Sequence, residues 1–345
     1  KLLIPGGSQG RQSRSPLAHP VHAMDIARSS SEPRYSLSQF TVQSHLGQGA
    51  FGTVQKCVDT KNGEVFAMKI IEKAKVIQRQ MQEQVKREVT TQLMVKHDNL
   101  VKLHYYFEDS GHIYCLLEFA DQGQLFTYLK SVGMVKEPRA ADFFFDTVSG
   151  VAYLHNLSIA HRDLKPENIL LFGPELLAKL GDFGWCAKIS EDQKRSTFCG
   201  TLDYAAPEML GGEAHDQGVD LWALGVLLYE MLFATTPFTG RSPKEKMENI
   251  CSLNFQIPSL RSLEEPEDII RSLLVERDER MSLDLVLQHP WSFQRTSFRR
   301  ADLSCPVEVR DVPRPKVKAT AQHSPKQENE KRNEVQGLLG CEIFP

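Results

Sequence analysis

His161-Arg-Asp-Leu-Lys-Pro-Glu-Asn168 decides the reading of this chain, together with Asp182-Phe-Gly184, which follows 14 residues after Asn168. Packing needs alone do not produce eight residues in this order. Asp163 can accept a proton from a hydroxyl, and Lys165 can neutralise charge on a transferring phosphoryl group. Asn168 and Asp182 offer an amide and a carboxylate oxygen. That donor set suits Mg2+, which keeps several waters and takes phosphate oxygens besides. Between the two segments, Ile169–Phe172 and Ala178–Leu180, broken at Gly173-Pro174, predict a hairpin.

Upstream, Gly47-Gln-Gly-Ala-Phe-Gly52-Thr-Val54 fits G-x-G-x-x-G-x-V. A dinucleotide-binding turn uses the same glycines but opens a helix. Here Thr53–Val58 is strand-like, so the glycines form a cover between two strands, where backbone N–H groups can approach phosphates without a Cβ in the way. A plain turn is the competing reading. Phe66-Ala-Met-Lys69 sits on the next strand, and an inward-pointing Lys69 needs a carboxylate partner. Glu88 and Glu83 are the candidates. Glu88 is preferred because Val85, Val89, Gln92 and Leu93 put it on the apolar face of a helix.

The segment from residue 40 starts β-rich. Phe40–Leu46, Thr53–Asp59, Val65–Ile71, Leu100–Phe107 and Ile113–Glu118 predict strands, with Asn62-Gly63 a type I′ turn signal and about 80–95 a helix. After Gln124, apolar-periodic helices follow: Leu125–Ser131, Ala140–Leu157, Val219–Leu232, Pro266–Leu274 and Leu283–Leu287. Residues 241–266 look too short and too rich in Pro and Ser for a full helix pair. The plan is α+β and two-lobed: a small β-rich lobe (40–118), a hinge (118–124) and a larger helical lobe (125–293).

In these motifs the chain resembles the eukaryotic protein kinases over about residues 40–293. The resemblance implies an ATP- and Mg2+-dependent protein kinase with an assigned set of residues. Gly47, Gly49 and Gly52 cover the phosphates, and Val54 and Ala67 join the nucleotide-binding set. Lys69 holds the α/β-phosphates and pairs with Glu88. Leu117 guards the pocket behind adenine, and backbone groups of Glu118 and Ala120 meet its edge. Asp163 is the base, Lys165 the γ-phosphate contact, and Asn168 and Asp182 the metal ligands. Glu208, in Ala206-Pro-Glu208, pairs with Arg280, and Asp220 anchors the catalytic loop. No core motif is missing, which weighs against the non-enzyme alternative, an inactive nucleotide-binding scaffold.

Lys165-Pro-Glu167 and Gly200-Thr-Leu-Asp-Tyr204 point to serine/threonine specificity, with Thr201 bridging base and Lys165. Trp185 directly after Asp-Phe-Gly, the run Lys194-Arg-Ser-Thr-Phe-Cys-Gly-Thr-Leu-Asp-Tyr204, and Gln92 one helical turn after Glu88 are similar to the Aurora kinases. Cys186 and Ala206 depart from that pattern, as in a diverged member. The resemblance implies activation by phosphorylation at Thr197, next to Ser196, with Arg162, Arg195 and Arg87 receiving the phosphate. Glu167 and Glu230 match an acidic pair that selects Arg two residues before the target. A partner of inner-centromere or spindle-assembly type would lie over the small lobe near Tyr105, Tyr106 and Phe107, although these aromatics also suit local core. Work in mitosis, in cytoplasm and nucleus and on spindle, centrosome or chromosomes, follows from the same resemblance. The enzyme alternative is a basophilic kinase of another branch, such as the cyclic-AMP-dependent group. The final residues, Gly340-Cys-Glu-Ile-Phe-Pro345, lack that group's Phe-x-x-Phe.

Composition bounds the rest. The 345 residues carry 41 basic and 44 acidic side chains, a formal charge of −3. Residues 1–39 hold five basic against two acidic, residues 294–345 ten against seven, and residues 40–293 twenty-six against thirty-five. The −9 core suits basic substrates and gives no support to direct nucleic-acid binding through bulk positive charge. The two basic ends, rich in Ser, Pro, Gln and Arg, read as mostly disordered extensions around a catalytic domain expected to be monomeric. Seven scattered cysteines read as reduced thiols of the cytosol or nucleus. The longest apolar stretch, Val219–Phe238, contains Asp220 and Glu230, so a buried helix fits it better than a membrane span. No signal-peptide pattern is visible.

Overall fold

The computed structural model describes residues 35–49, 51–184, 186–188, 202–213, 216–258 and 263–292. The small lobe is a five-stranded antiparallel sheet in the order β1-β2-β3-β5-β4. Its strands are β1 (Phe40–Gly49), β2 (Gly52–Asp59), β3 (Val65–Glu72), β4 (Leu103–Glu108) and β5 (His112–Glu118). Between β3 and β4 run α1 (Lys73–Gln78) and α2 (Gln82–Met94). One face of the sheet buries Phe66, Met68, Phe107, Tyr114 and Leu116 with Phe40 and Cys57 in a small core. Alternation and cross-strand register put Val54, Lys56, Ala67, Lys69, Cys115 and Leu117 on the opposite face. That face looks onto α2 and the large lobe, as the contacts of Lys69 described below establish.

The large lobe is built on helices: α3 (Leu125–Val132), α4 (Glu137–Asn156), α5 (Pro207–Leu210), α6 (Gly218–Phe233), α7 (Pro243–Cys251), α8 (Glu264–Leu273) and α9 (Leu283–Gln288). Between α4 and α5 lie the short strands β6 (Ile159–Ala160), β7 (Ile169–Phe172), β8 (Leu177–Leu180) and β9 (Ala187–Lys188). β7 and β8 form the predicted hairpin. α6 is apolar on nearly every side, as a central core helix must be; it buries Trp222, Leu224, Val226, Leu227, Leu228 and Met231 completely. α8 shows the other regime. Ile269, Ile270 and Leu273 face the core, while Glu264, Glu265 and Glu267 occupy the first turn, where the helix dipole favours negative charge.

The lobes are joined by backbone bonds as well as by the linker. Val101 N–H donates to the Leu180 carbonyl (2.9 Å), and Leu180 N–H donates to that of Asn99 (2.9 Å). The strand predicted from Leu100 therefore begins only at Leu103, because Leu100 and Val101 are taken by β8. In the linker, Gln122 and Gly123 bond to Leu171 of β7, which fixes where the hinge ends.

One expectation, the β2–β3 turn type, is corrected, and two other readings are narrowed. Residues 243–251 form a regular helix despite the Pro and Ser content. The reason is positional: Pro243 occupies the first helical position, where its missing N–H costs nothing, and the Ser242 hydroxyl caps the helix by accepting from Glu245 N–H. The β2–β3 turn is not type I′, which needs positive φ at both central residues. Gly63 has a φ of 76° but Asn62 does not share that region, and the Asp59 carboxylate organises the loop by accepting from Lys61 N–H at 2.8 Å. The aromatic trio on β4 is also divided. Phe107 is buried between Phe40 and Tyr114, with ring centroids 5.9 and 4.8 Å away. Tyr105 is covered by Tyr35 at 4.5 Å. Local packing thus engages Phe107 and Tyr105. No helix among the described residues is long and apolar enough to cross a membrane.

Candidate active site

The turn between β1 and β2 sets the roof of the cleft. A Cβ on Gly52 would lie 1.7 Å from the Ile70 carbonyl, so only glycine lets β2 approach β3 there. Gly47 and Gly49 are different. Among the described residues, none lies within 4 Å of an added Cβ at Gly47, and only the Gly52 carbonyl, at 3.6 Å, lies near one at Gly49. The packing of the described residues does not require these two glycines; the open space they leave would be narrowed by side chains. Gln48 ties the loop down by donating its side-chain amide to the Gly52 carbonyl at 3.0 Å.

Below this roof, β3 delivers Lys69 and α2 delivers Glu88. Lys69 Nζ donates to Glu88 Oε1 at 2.5 Å and lies 3.8 Å from Asp182 Oδ1. Glu88 is buried on α2 with Val85, Val89 and Gln92, whereas Glu83 is exposed, so helix periodicity picks out the carboxylate that reaches the cleft. Burial by itself disfavours the charged ammonium, but Glu88 and Asp182 outweigh it and hold Lys69 protonated well above the usual lysine range. Across the register from Lys69, burial pushes the Cys115 thiol up to about 12, leaving it neutral. Gln84, one turn before Glu88, donates to the Gly184 carbonyl at 2.8 Å and ties α2 to the segment that carries Asp182.

The floor of the cleft comes from the loop between β6 and β7 and the segment after β8. Asn168 Nδ2 donates to the Asp163 backbone carbonyl and to Asp163 Oδ2, both at 2.8 Å, while Lys165 Nζ pairs with Asp163 Oδ1 at 3.0 Å. The Asp163 carboxylate is therefore held on both oxygens. The loop itself is held from beneath by Asp220 of α6. Its carboxylate accepts from His161 N–H and Arg162 N–H at 2.8 Å each and meets His155 Nε2 at 2.8 Å. These bonds offset the left-handed backbone at Arg162, whose φ is 68°. Burial would raise the Asp220 carboxyl, but His155, His161 and the Arg162 N–H keep it below the usual range. His161 also bonds the Gly181 carbonyl at 3.0 Å and lies edge-on to Phe183, which is fully buried.

Asp182 has a φ of 53° and a side chain that is 47% accessible, facing Lys69. Burial works against its charge, yet Lys69, the Gly184 N–H, His161 and Lys165 hold it below the usual carboxylate range. Among the described residues no group of three or more His, Cys, Asp or Glu could hold a metal unaided. The cleft offers instead one exposed carboxylate and one amide whose N–H2 is committed to Asp163. Mg2+ that takes its remaining ligands from phosphate and water fits this set.

The hinge side is supplied by Leu117, Glu118 and Ala120. Glu118 N–H donates to the Lys102 carbonyl at 3.0 Å and its carboxylate pairs with Lys179 of β8 at 2.7 Å. Phe119 lies under the ammonium of Lys56, 4.7 Å from the ring centre.

Outside the cleft, Arg280 makes a two-pronged pair with Glu208, at 2.6 and 2.8 Å, with both side chains almost wholly buried. It also donates to the Gly218 carbonyl at 2.9 Å and stacks on Trp222. Glu167 and Glu230 are brought near one another. Burial and the charge of Glu167 raise the Glu230 carboxyl, although the Tyr204 hydroxyl donates to it. Burial and then Glu230 push the Tyr204 phenol well above its ordinary value. Sequence reading did not single out Tyr204, Gln84, His155 or Lys179; Tyr204 lies inside a quoted motif and the others inside predicted helices or strands, but nothing in the spacing reveals their partners. Arg87 is half-buried on α2. Trp185, Arg195, Ser196, Thr197 and Thr201 lie outside the described residues.

Comparison with known proteins gives a consistent result. The protein kinase domain family matches residues 40–292. An Aurora kinase of Schizosaccharomyces pombe is 38% identical over 260 residues, 74% of this chain and 72% of that protein. Serine/threonine-protein kinase Aurora-1 of Arabidopsis thaliana is 34% identical over 274 residues, 79% of this chain and 92% of the relative. Aurora kinase A-A of Xenopus laevis is 33% identical over 306 residues, 86% and 74% of the two chains.

Proposed function

The chain belongs to the protein kinase family and, within it, to the Aurora serine/threonine kinases, and from that premise we propose that it transfers the γ-phosphoryl group of ATP to serine or threonine hydroxyls in basic sequence contexts during mitosis. The observation that carries this reading is the convergence of two separately built clusters. The Lys69–Glu88 pair lies 3.8 Å from Asp182, and the Asp163 carboxylate is held by Asn168 and Lys165.

Phosphoryl transfer asks the protein mainly to align groups and spread negative charge. Bound Mg–ATP would supply the transferable phosphoryl group and part of the charge neutralisation. Asp163 accepts the proton of the substrate hydroxyl, its orientation fixed by Asn168. Lys165 is close enough to Asp163 to serve both the base and the incoming phosphoryl oxygens. Lys69, kept charged by Glu88, holds phosphate oxygens, and Gly47, Gly49 and Gly52 leave the backbone free to cover them. Asn168 and Asp182 would hold the metal. Val54 and Ala67 are on the same sheet face as Lys69, which suits them to the adenine.

Thr197 is the proposed activating phosphorylation site, with Arg162, Arg195 and Arg87 as receptors and Ser196 as its neighbour. Thr201 is proposed to link the base with Lys165. Phosphorylation would add about −1.5 to −2 charge two residues from Arg195, the charge that the proposed arginine receptors would bind. Thr197→Ala should reduce protein-kinase activity at least tenfold, measured as phosphate transfer after pre-incubation with ATP; full activity in that variant would overturn the assignment. Glu167 and Glu230 are proposed to select an Arg two residues before the target. A peptide array should show that preference, and an optimum with acidic residues there would contradict it. An activating partner of inner-centromere or spindle-assembly type, and localisation to spindle or chromosomes, are proposed from family membership. Such a contact would lie near Tyr105, Tyr106 and Phe107 of β4.

A further inference from the structure

One cation beside the nucleotide cleft has no part in phosphoryl transfer as set out above. Lys56 of β2 stands opposite Ala67 of β3, and Ala67 stands opposite Leu117 of β5. Directly opposed residues of antiparallel strands carry their side chains on one face, so these three form a row across the cleft side of the sheet. Ala67 and Leu117 are already proposed for the adenine pocket.

The Lys56 ammonium lies over the Phe119 ring, 4.7 Å from its centre, and both residues are half-buried. Phe119 sits in the hinge between Glu118 and Ala120, whose backbone groups are proposed to meet the adenine edge. In the sheet, β3 separates β2 from β5. To reach the ring, the Lys56 stem therefore crosses β3 beside Ala67 and lays its methylenes along the wall of the pocket. The neighbouring hinge carboxylate does not compete for the ammonium, because Glu118 is paired with Lys179 of β8 at 2.7 Å. At its other end, β2 begins at Gly52, where Gln48 ties down the roof at 3.0 Å. Lys56 thus connects the strand that carries the roof to the hinge.

We propose that the Lys56–Phe119 contact is a clasp that sets the width of the adenine slot, with Lys56 a positioning residue for ATP. The roof strand and the hinge are the two sides of that slot. A clasp formed before the nucleotide arrives raises the share of molecules whose slot is correctly spaced, and the apparent affinity follows that share. It acts on binding rather than on transfer, because the transferring end of the cleft is held by the separate contacts of Lys69, Asp163 and Asp182. The inference rests on the reading of the cleft as an ATP site.

The test is an ATP-binding titration paired with steady-state kinetics on the full chain. Lys56→Met keeps the stem and removes the charge. It should raise Kd and KM for ATP about three- to tenfold, the range of a half-exposed cation–π contact, with kcat at saturating ATP unchanged. Phe119→Leu should weaken binding likewise, and Lys56→Met/Phe119→Leu should be no worse than Phe119→Leu alone, since both changes remove one contact. Lys56→Arg should keep the wild-type affinity, because a guanidinium also stacks on an aromatic face. An unchanged KM in folded Lys56→Met, a fall in its kcat at saturating ATP, additive losses in the double variant, or a loss in Lys56→Arg equal to that in Lys56→Met would each overturn the proposal. Should Phe119→Leu not fold, Lys56→Met and Lys56→Arg still decide. The wild-type titration separates this inference from the reading beneath it. ATP binding there with no change in Lys56→Met removes the clasp and leaves the ATP site standing, whereas no binding by the wild type removes both.

Discussion

Asp163→Asn should lower turnover of a protein substrate by about 10²–10⁴-fold, the range for removing a positioned general base, with ATP affinity close to wild type. The reason lies in how the side chain is held. Asp163 has one oxygen on Asn168 Nδ2 at 2.8 Å and the other on Lys165 at 3.0 Å. An amide oxygen can keep the first contact, so the loop retains its shape, but the substrate hydroxyl loses its proton acceptor. Nucleotide affinity depends instead on the roof and on Lys69, which Asp163 does not touch. Steady-state kinetics with protein substrate, paired with a nucleotide-binding titration, separates the two. A loss below tenfold in turnover would mean that Asp163 is not the base.

The largest stability effect should come from Arg280. Arg280→Met leaves the Glu208 carboxylate buried without its guanidinium, and breaking a buried pair in this way costs about 3–5 kcal/mol. Three further contacts go with it, the bonds to the Gly218 and Val275 carbonyls and the stacking on Trp222. For a domain of this size the loss corresponds to a fall in Tm of roughly 10 °C. Glu208→Gln added to Arg280→Met should restore about 1 kcal/mol or more, because the stranded charge is gone. Denaturant unfolding of the three proteins measures this. A single-variant cost below about 1 kcal/mol would show that water reaches the pair.

The parts of the site legible in the sequence are those carried by local spacing. Asp163, Lys165 and Asn168 lie within six residues of chain, and Asp182 follows a predictable hairpin, so little geometry had to be guessed. Glu88 was separable from Glu83 because a helix that buries Val85 and Val89 must also bury the residue between them on that face. The Glu208–Arg280 pair spans 72 residues and was accessible through family resemblance alone. Contacts such as Tyr204 with Glu230, or Asp203 with Lys246, depend on how α6 and α7 pack against a short turn, which periodicity does not encode. The stretch 241–266 reads as too short and too rich in Pro and Ser for a helix pair, and it holds the single helix 243–251, where Pro and Ser at the first turn are starters. For the β4 aromatics the sequence leaves partner surface and local core both open; Phe40 and Tyr114 pack on Phe107, and Tyr35 lies against Tyr105. β4 alternation alone could not have revealed Tyr35.

The most direct measurement is transfer of labelled γ-phosphate from ATP to a basic Ser/Thr-containing protein substrate in the presence of Mg2+, comparing the wild-type chain with Asp182→Asn. Label should appear on serine or threonine with the wild type and fall to background with Asp182→Asn, while the variant keeps its fold and part of its nucleotide binding. Absence of transfer by the folded, Thr197-phosphorylated wild type, or equal transfer by both proteins, would contradict a catalytic role for this cleft.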